Sequence, residues 1–87
     1  MKIENKKYYV LIKNMLKDYK GTVYLTGGAV IDCLNGVKPK DYDVFCHSSG
    51  FEDFLVSIGF EYMYSSKTAT TFIHKINQLT IQILKKI

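Results

Sequence analysis

The hydrophobic pattern of this 87-residue chain changes between a helical and an extended period several times. Between Ile3 and Tyr19 the apolar positions recur at steps of three and four, which is the spacing of one face of an α-helix. Lys20 and Gly21 follow, a cation and a residue that tolerates positive φ, and both are typical of a helix end. The pattern therefore predicts an amphipathic helix over residues 3–19.

Strand and helix patterns then alternate. TVYL, residues 22–25, is β-branched and aromatic and runs into a glycine pair, which predicts a short strand and a tight turn. A helix with one apolar side is expected next. In DYDVF, residues 41–45, polar and apolar side chains alternate as in a strand. Ser48 or Ser49 is expected to cap a third helix, which Gly59 ends.

The last part of the chain has strand composition throughout. FEYMYS, TATTFIHKI and LTIQILKK are three such runs, and Asn77–Gln78 offers a hairpin turn between the last two. The predicted order αβαβαβββ indicates an α/β (α+β) fold, a mixed sheet of about five strands covered by three helices. Because two cores would each be too small to be stable, residues 1–87 are expected to form a single domain.

Charge narrows the class of partner only slightly. The chain has a net charge of +4, which mildly favours a polyanion. All its basic residues are lysine, so contacts with phosphate must come from point charges or backbone amides rather than from bidentate arginine. The lysines are scattered, as on an ordinary solvated surface.

Targeting and metal patterns are missing from the sequence. No apolar run approaches the ~20 residues that cross a bilayer, and the N-terminus does not read as a signal segment, so a cytoplasmic protein without membrane contact is expected. Cys33 and Cys46 cannot build a disulfide framework, and with His47 and His74 they match no zinc spacing. Free, packed thiols are the expectation.

The glycine pair is the first candidate site. Gly27 and Gly28, after Thr26, allow a sharp turn between a strand and a helix and expose backbone amides at the positive end of the helix dipole. Such amides bind phosphate without a cationic side chain. The same pair also serves simply as a turn, and that alternative stays open.

A carboxylate pair is the second candidate. Asp41 and Asp43 are two residues apart in a strand, so their side chains share one face. Their mutual repulsion is relieved by a hard divalent cation, Mg²⁺ or Mn²⁺, although a solvated strand end is an equal alternative. Together the two candidates suit nucleotidyl transfer, in which metal ions activate a hydroxyl and neutralise the phosphates.

LTGGAVIDCLNGVKPKDYDVF resembles the signature of the head domain of poly(A) polymerases and CCA-adding enzymes in the DNA polymerase β superfamily. The resemblance implies a minimal nucleotidyltransferase fold that binds a nucleoside triphosphate with Mg²⁺ and transfers a nucleotidyl group to a hydroxyl of RNA, a protein or a small molecule. It implies that Asp41 and Asp43 hold the metal and are catalytic. It also implies that Gly27 and Gly28, with Thr26, hold the phosphates.

The sequence departs from that signature at two places. The family's Arg-Asp pair is Ile31 and Asp32, which leaves Asp32 to support the phosphate loop or the metal's waters. The family's third carboxylate has no equivalent, because nothing acidic follows Glu61. Gln82 occupies a plausible position, as a carbonyl ligand or simply as a polar residue on an edge strand. Lys38 and Lys40, beside the aspartates, either steer phosphate or are ordinary loop lysines.

The remaining alternatives concern partners. The short chain predicts that a partner protein, a homodimer or a very small acceptor supplies the surface missing from the site. Tyr62, Tyr64 and Phe72 either stack a base or belong to the core. The alternative to an enzyme is an inactive relative, encoded by a phage or a mobile element, that acts as a nucleotide-, RNA- or host-protein-binding module or inhibitor.

Overall fold

The computed structural model describes residues 7–46 and 48–85 and contains the eight elements in the predicted order. In chain order they are α1 (Lys7–Leu16), β1 (Tyr24–Thr26), α2 (Gly28–Leu34), β2 (Tyr42–Phe45), α3 (Phe51–Ser57), β3 (Glu61–Ser65), β4 (Ala69–His74) and β5 (Leu79–Leu84). The predicted mixed α+β fold is therefore confirmed. The first turn predicted for α1 and the histidine at position 47 lie outside the described residues.

One mixed sheet contains all five strands, in the order β1-β2-β5-β4-β3. β5 runs parallel to β2, and the other neighbouring pairs are antiparallel. The last strand of the chain consequently lies in the middle of the sheet. The interpretation of Gln82 as a residue of an edge strand is wrong, because β5 is paired with β2 on one side and β4 on the other.

The core occupies one face of the sheet, and all three helices contribute to it. Tyr42, Ile81 and Phe72 are neighbours across β2, β5 and β4, and each is almost completely buried. Ile12, Cys33, Phe51 and Leu55, from the three helices, pack in the same cluster. Each large apolar side chain in it contributes roughly 1.5–3 kcal/mol by leaving water. Because strand residues alternate, the aspartate between Tyr42 and Val44 faces the opposite side.

Tyr42 also connects the sheet to α1 through a polar contact. Its hydroxyl donates a hydrogen bond to the backbone carbonyl of Tyr8 at 3.2 Å. Burial, followed by the charges of Cys33 and Tyr8, raises the pKa of Tyr42 to about 12. The hydroxyl is thus held neutral and bonded inside the core.

Two turns that the sequence predicted have different outcomes. Gln78 has a φ of 54° in the hairpin between β4 and β5, which confirms the predicted turn. The cap of α3 is Gly50, with a φ of 84°, and no described residue makes a side-chain cap hydrogen bond to the helix start, so the prediction of a serine cap is wrong. The backbone of Ser48 and Ser49 instead accepts weak hydrogen bonds from the Tyr19 hydroxyl at 3.4 and 3.3 Å.

The ends of the first elements are also shifted. α1 ends at Leu16, and Tyr19 lies beyond it, where its ring packs against Phe51 at a centroid distance of 4.9 Å. The apolar spacing of Tyr19 therefore reflects its contact with the core and not membership of the helix.

In the described parts of the chain, no helix is long and apolar enough to cross a membrane. The cysteines are free, as predicted, and Cys33 is fully buried.

Candidate functional site

An open cleft of about 370 Å³ lies where the start of α2 meets the loop before β2. Its lining residues are Gly28, Asp32, Val37, Lys38, Lys40, Asp41 and Asp43. The structure therefore brings six of the predicted site residues to one place. Val37 was not predicted, since an isolated valine in a loop carries no sequence signal.

The glycine pair makes the turn from β1 into α2. Gly27 has a φ of 66°, a conformation that favours glycine, and a Cβ there would lie 3.4 Å from Oδ2 of Asp43. The backbone N–H of Val30 donates to the Gly27 carbonyl at 3.2 Å and closes the first turn. At Gly28 the position of a Cβ is open space. The turn thus keeps the backbone close to the carboxylate and leaves room beside Gly28.

Asp43 is the most constrained side chain of the cleft. It is half-buried on β2, and its Oδ1 is buried without a hydrogen-bond partner among the described residues. Burial raises the pKa of Asp43, and the neighbouring charge of Asp41 raises it further. Ionised Asp43 therefore costs the fold free energy, and a cation between the two carboxylates would offset that cost.

Three predicted site residues surround Asp43 without lining the cleft. Thr26 is paired with Asp43 across β1 and β2, and its hydroxyl donates to the Asp43 backbone carbonyl at 3.4 Å. Gln82 is paired with Asp43 on the other side, in β5. Gly27 lies beside the carboxylate, since a Cβ at this position would be 3.4 Å from Oδ2 of Asp43. The three residues thus surround Asp43. That Thr26 and Gly27 bind phosphate, and that Gln82 coordinates a metal ion, stay predictions.

A third carboxylate does not complete the pair. Glu61 lies on β3, at the far edge of the sheet, and its carboxylate binds Lys75 at 3.2 Å. Asp32 lines the cleft, yet within the described ranges no group of three or more His, Cys, Asp or Glu residues is close enough to hold a metal ion. The position of the expected arginine is Ile31, whose side chain is 60% exposed.

The aromatic residues of the later strands do not form a stacking platform. Phe72 is 2% exposed and belongs to the core. An irregularity between Tyr62 and Tyr64 places Tyr62 opposite Phe72 and Tyr64 opposite Thr71, so the two tyrosines face opposite sides of the sheet. A base could contact only one of them at a time.

The fold and the cleft define the class: a small α+β domain with a polar, lysine-flanked cleft beside a single mixed sheet. The chain belongs to the Gabija anti-defense 2 family, whose model matches residues 2–87. No curated protein and no solved structure matches it.

The assignment to the head domains of poly(A) polymerases and CCA-adding enzymes is wrong, because the family model places nearly the whole chain in a different family. The structure gives the physical reason for the false match. A glycine turn, a short helix and an Asp-x-Asp strand recur here, but the arginine and the third carboxylate that would distinguish those enzymes are replaced by Ile31 and by the uncharged residues of β5. The family fits the alternative interpretation, an inhibitor or binding module, better than nucleotidyl transfer.

Proposed function

We propose that this protein counteracts the Gabija defence as a binding module, and that it holds the phosphates of a nucleotide together with a divalent cation in the cleft. The family supports the anti-defence role. The cleft supports the binding role, because its volume suits a small ligand and most of its lining residues carry charged side chains. In this role the protein acts in the cytoplasm of the host.

One observation carries the proposed ligand chemistry. The buried Oδ1 of Asp43 has no hydrogen-bond partner in the part of the chain that the structure describes, and Asp41 adds a second negative charge. A buried, unpaired carboxylate oxygen is costly, and natural proteins retain few of them. Mg²⁺ or Mn²⁺ is the ligand that fits, because these ions take one or two carboxylates and complete their shell with waters and phosphate oxygens.

Two lysines and a glycine of the same cleft suit the phosphates. Lys38 and Lys40 line the cleft and are exposed on either side of buried Pro39, so their ammonium groups act as mobile point charges. Gly28 leaves space for a phosphate to approach the backbone at the start of α2. The cation and the two lysines would each offset part of the negative charge of a triphosphate.

The proposal is for binding without group transfer. With two carboxylates in place, one cation is held well and a second poorly, so the geometry for activating a hydroxyl is incomplete. Sequestering a nucleotide, or presenting it to a host protein, requires only that the cleft binds.

The direct test is infection of bacteria that carry the Gabija defence with a phage that the defence blocks. Expression of the wild-type protein should restore plaque formation, and Asp43→Asn and Lys40→Gln should each reduce the rescue. Asp18→Asn, an exposed aspartate outside the cleft, is the matched control and should rescue fully. Full rescue by correctly folded Asp43→Asn would contradict a role for the cleft, and absence of rescue by the wild type would contradict the anti-defence role.

A further inference from the structure

A second concavity, of about 290 Å³, lies between α1 and the segment that leads into β1. One wall is a single face of α1, formed by Tyr9, Ile12, Lys13 and Leu16 at helical spacing, and Lys17 extends it just beyond the helix end. The other wall includes Val23 and Leu25, which are alternate residues of an extended segment and so share a face. We call this concavity the α1–β1 groove. It shares no lining residue with the cleft.

The floor of the groove is apolar and the protein's own core does not fill it. Val44 and Ile12 form its base and are 1% and 4% exposed. Leu16, Val23 and Leu25 are only half-buried, so they present apolar surface to solvent along its length. Covering this apolar surface with a second apolar chain is favourable, because the surface is then removed from water.

The backbone beside the groove is also open. β1 is an edge strand, paired with β2 on one side, and the described ranges supply no strand on its other side. In an antiparallel pair every second residue directs its N–H and C=O away from the partner. An extended peptide can therefore add to β1 while its alternate side chains enter the groove, a common mode of peptide recognition.

The rim defines the charge of the occupant. Lys13 and Lys17 are both exposed, and none of the described residues that line the groove is acidic. Lys13 lies in the last turn of α1, and Lys17 follows directly after the helix. Their ammonium groups are on flexible four-carbon chains, and alternate residues of an extended chain are about 6.6 Å apart. Carboxylates two residues apart on a segment beside α1 can therefore each meet one of the two ammonium groups.

We propose that the α1–β1 groove binds an extended, acidic segment of a partner protein, with apolar residues at the positions that face the floor and carboxylates two residues apart at the rim. A second copy of this chain is a poorer occupant. Its carboxylates at that spacing are Asp43, in β2, and Asp41, directly before that strand, and β2 is already paired on both sides. The proposal does not depend on the nucleotide cleft.

The test is fluorescence polarisation with two labelled octapeptides, one alternating valine and glutamate and the other alternating valine and lysine. We expect the acidic peptide to bind at least tenfold more tightly. The double variant Lys13→Glu with Lys17→Glu should weaken it by tenfold or more, and Leu25→Lys should do the same by occupying the floor. Lys67→Glu, an exposed lysine outside the groove, is the control for a charge reversal elsewhere on the protein and should leave the affinity unchanged.

All four changes are at exposed or half-buried positions, so we expect every variant to fold. Circular dichroism checks that each one does. Equal affinity for the two peptides, or no saturable binding of the acidic one at about 1 mM, would overturn the proposal. So would binding that the Lys13 and Lys17 changes leave intact. Self-association in sedimentation velocity that Leu25→Lys abolishes would also overturn it, because a second copy would then be the occupant.

Discussion

Replacing Asp43 by asparagine should stabilise the cation-free protein. The side chains are nearly isosteric, so packing in β2 is retained, while the charge on a buried oxygen that has no described hydrogen-bond partner is removed. The repulsion from Asp41 is removed as well. A buried unpaired polar group costs about 1–3 kcal/mol and a charged one more. Asparagine keeps a polar amide at this position, so only the part of the cost that depends on the charge is removed, which we take as about 1 kcal/mol because Asp43 is only half-buried. A gain of about 1 kcal/mol raises the Tm of a domain of this size by roughly 4–8 °C.

The pH dependence has a definite sign. The folded-state pKa of Asp43 is raised above its unfolded value, so ionisation disfavours the fold. The full penalty is present above the folded pKa and is relieved as the pH falls through it toward the ordinary aspartate value. The gain from Asp43→Asn should therefore be largest at neutral pH and diminish on acidification.

Thermal unfolding followed by circular dichroism, with and without Mg²⁺ or Mn²⁺, is the assay. A cation at ten times its Kd should stabilise the wild type by about 1.4 kcal/mol and should leave Asp43→Asn unaffected. Asp18→Asn controls for loss of one negative charge. If Asp43→Asn is less stable than the wild type at neutral pH, or if the cation stabilises both equally, Asp43 is not the costly, cation-seeking group described above.

The remaining predictions concern stability. Tyr42→Phe should lower the free energy of unfolding by about 1 kcal/mol at pH 7, because the hydrogen bond to Tyr8 is lost. The wild type should also lose stability as the pH rises from 10.0 to about 12, and Tyr42→Phe should not show this loss. Denaturant titration across that pH range measures both effects. Gly59→Ala should cost about 1–3 kcal/mol, because φ is 104° and the Cβ would lie 2.7 Å from Nε2 of His74, whereas Gly28→Ala, with open space, should cost less than about 1 kcal/mol in the same denaturant titration. Leu55→Ala, at a fully buried position, should cost about 2–5 kcal/mol by calorimetry.

The sequence predicted local structure well because the signals are local. The helical and two-residue periods located all eight elements, and the hairpin at Gln78 followed from its turn residues. The central position of β5 was not predictable in this way. It depends on the pairing of Tyr42 with Ile81 and Asp43 with Gln82, contacts far apart along the chain that no short pattern encodes. The glycine cap of α3 was missed because serine is the stronger general signal for a cap.

The cleft was predictable for the same reason, and the family was not. Gly28 and Asp43 are brought together by one strand, one helix and the next strand, a unit whose geometry follows from local order. The same strand–helix–strand unit also occurs in proteins of other families. The resemblance that rested on it therefore indicated the wrong family. The α1–β1 groove was not predicted, because the helical spacing of Ile12 and Leu16 is also typical of residues packed in a core. Only the separation between α1 and the segment that leads into β1 distinguishes the two cases.

The most direct test of the central claim is isothermal titration calorimetry of ATP into the wild-type protein and Asp43→Asn, each with Mg²⁺ and with EDTA. A cation-dependent phosphate site predicts saturable binding by the wild type in Mg²⁺ and at least tenfold weaker binding in EDTA. Asp43→Asn should bind ATP with the weaker of these two affinities, whether Mg²⁺ or EDTA is present. Equal affinity with and without Mg²⁺, or undiminished binding by Asp43→Asn, would contradict a cation-dependent phosphate site at Asp41 and Asp43.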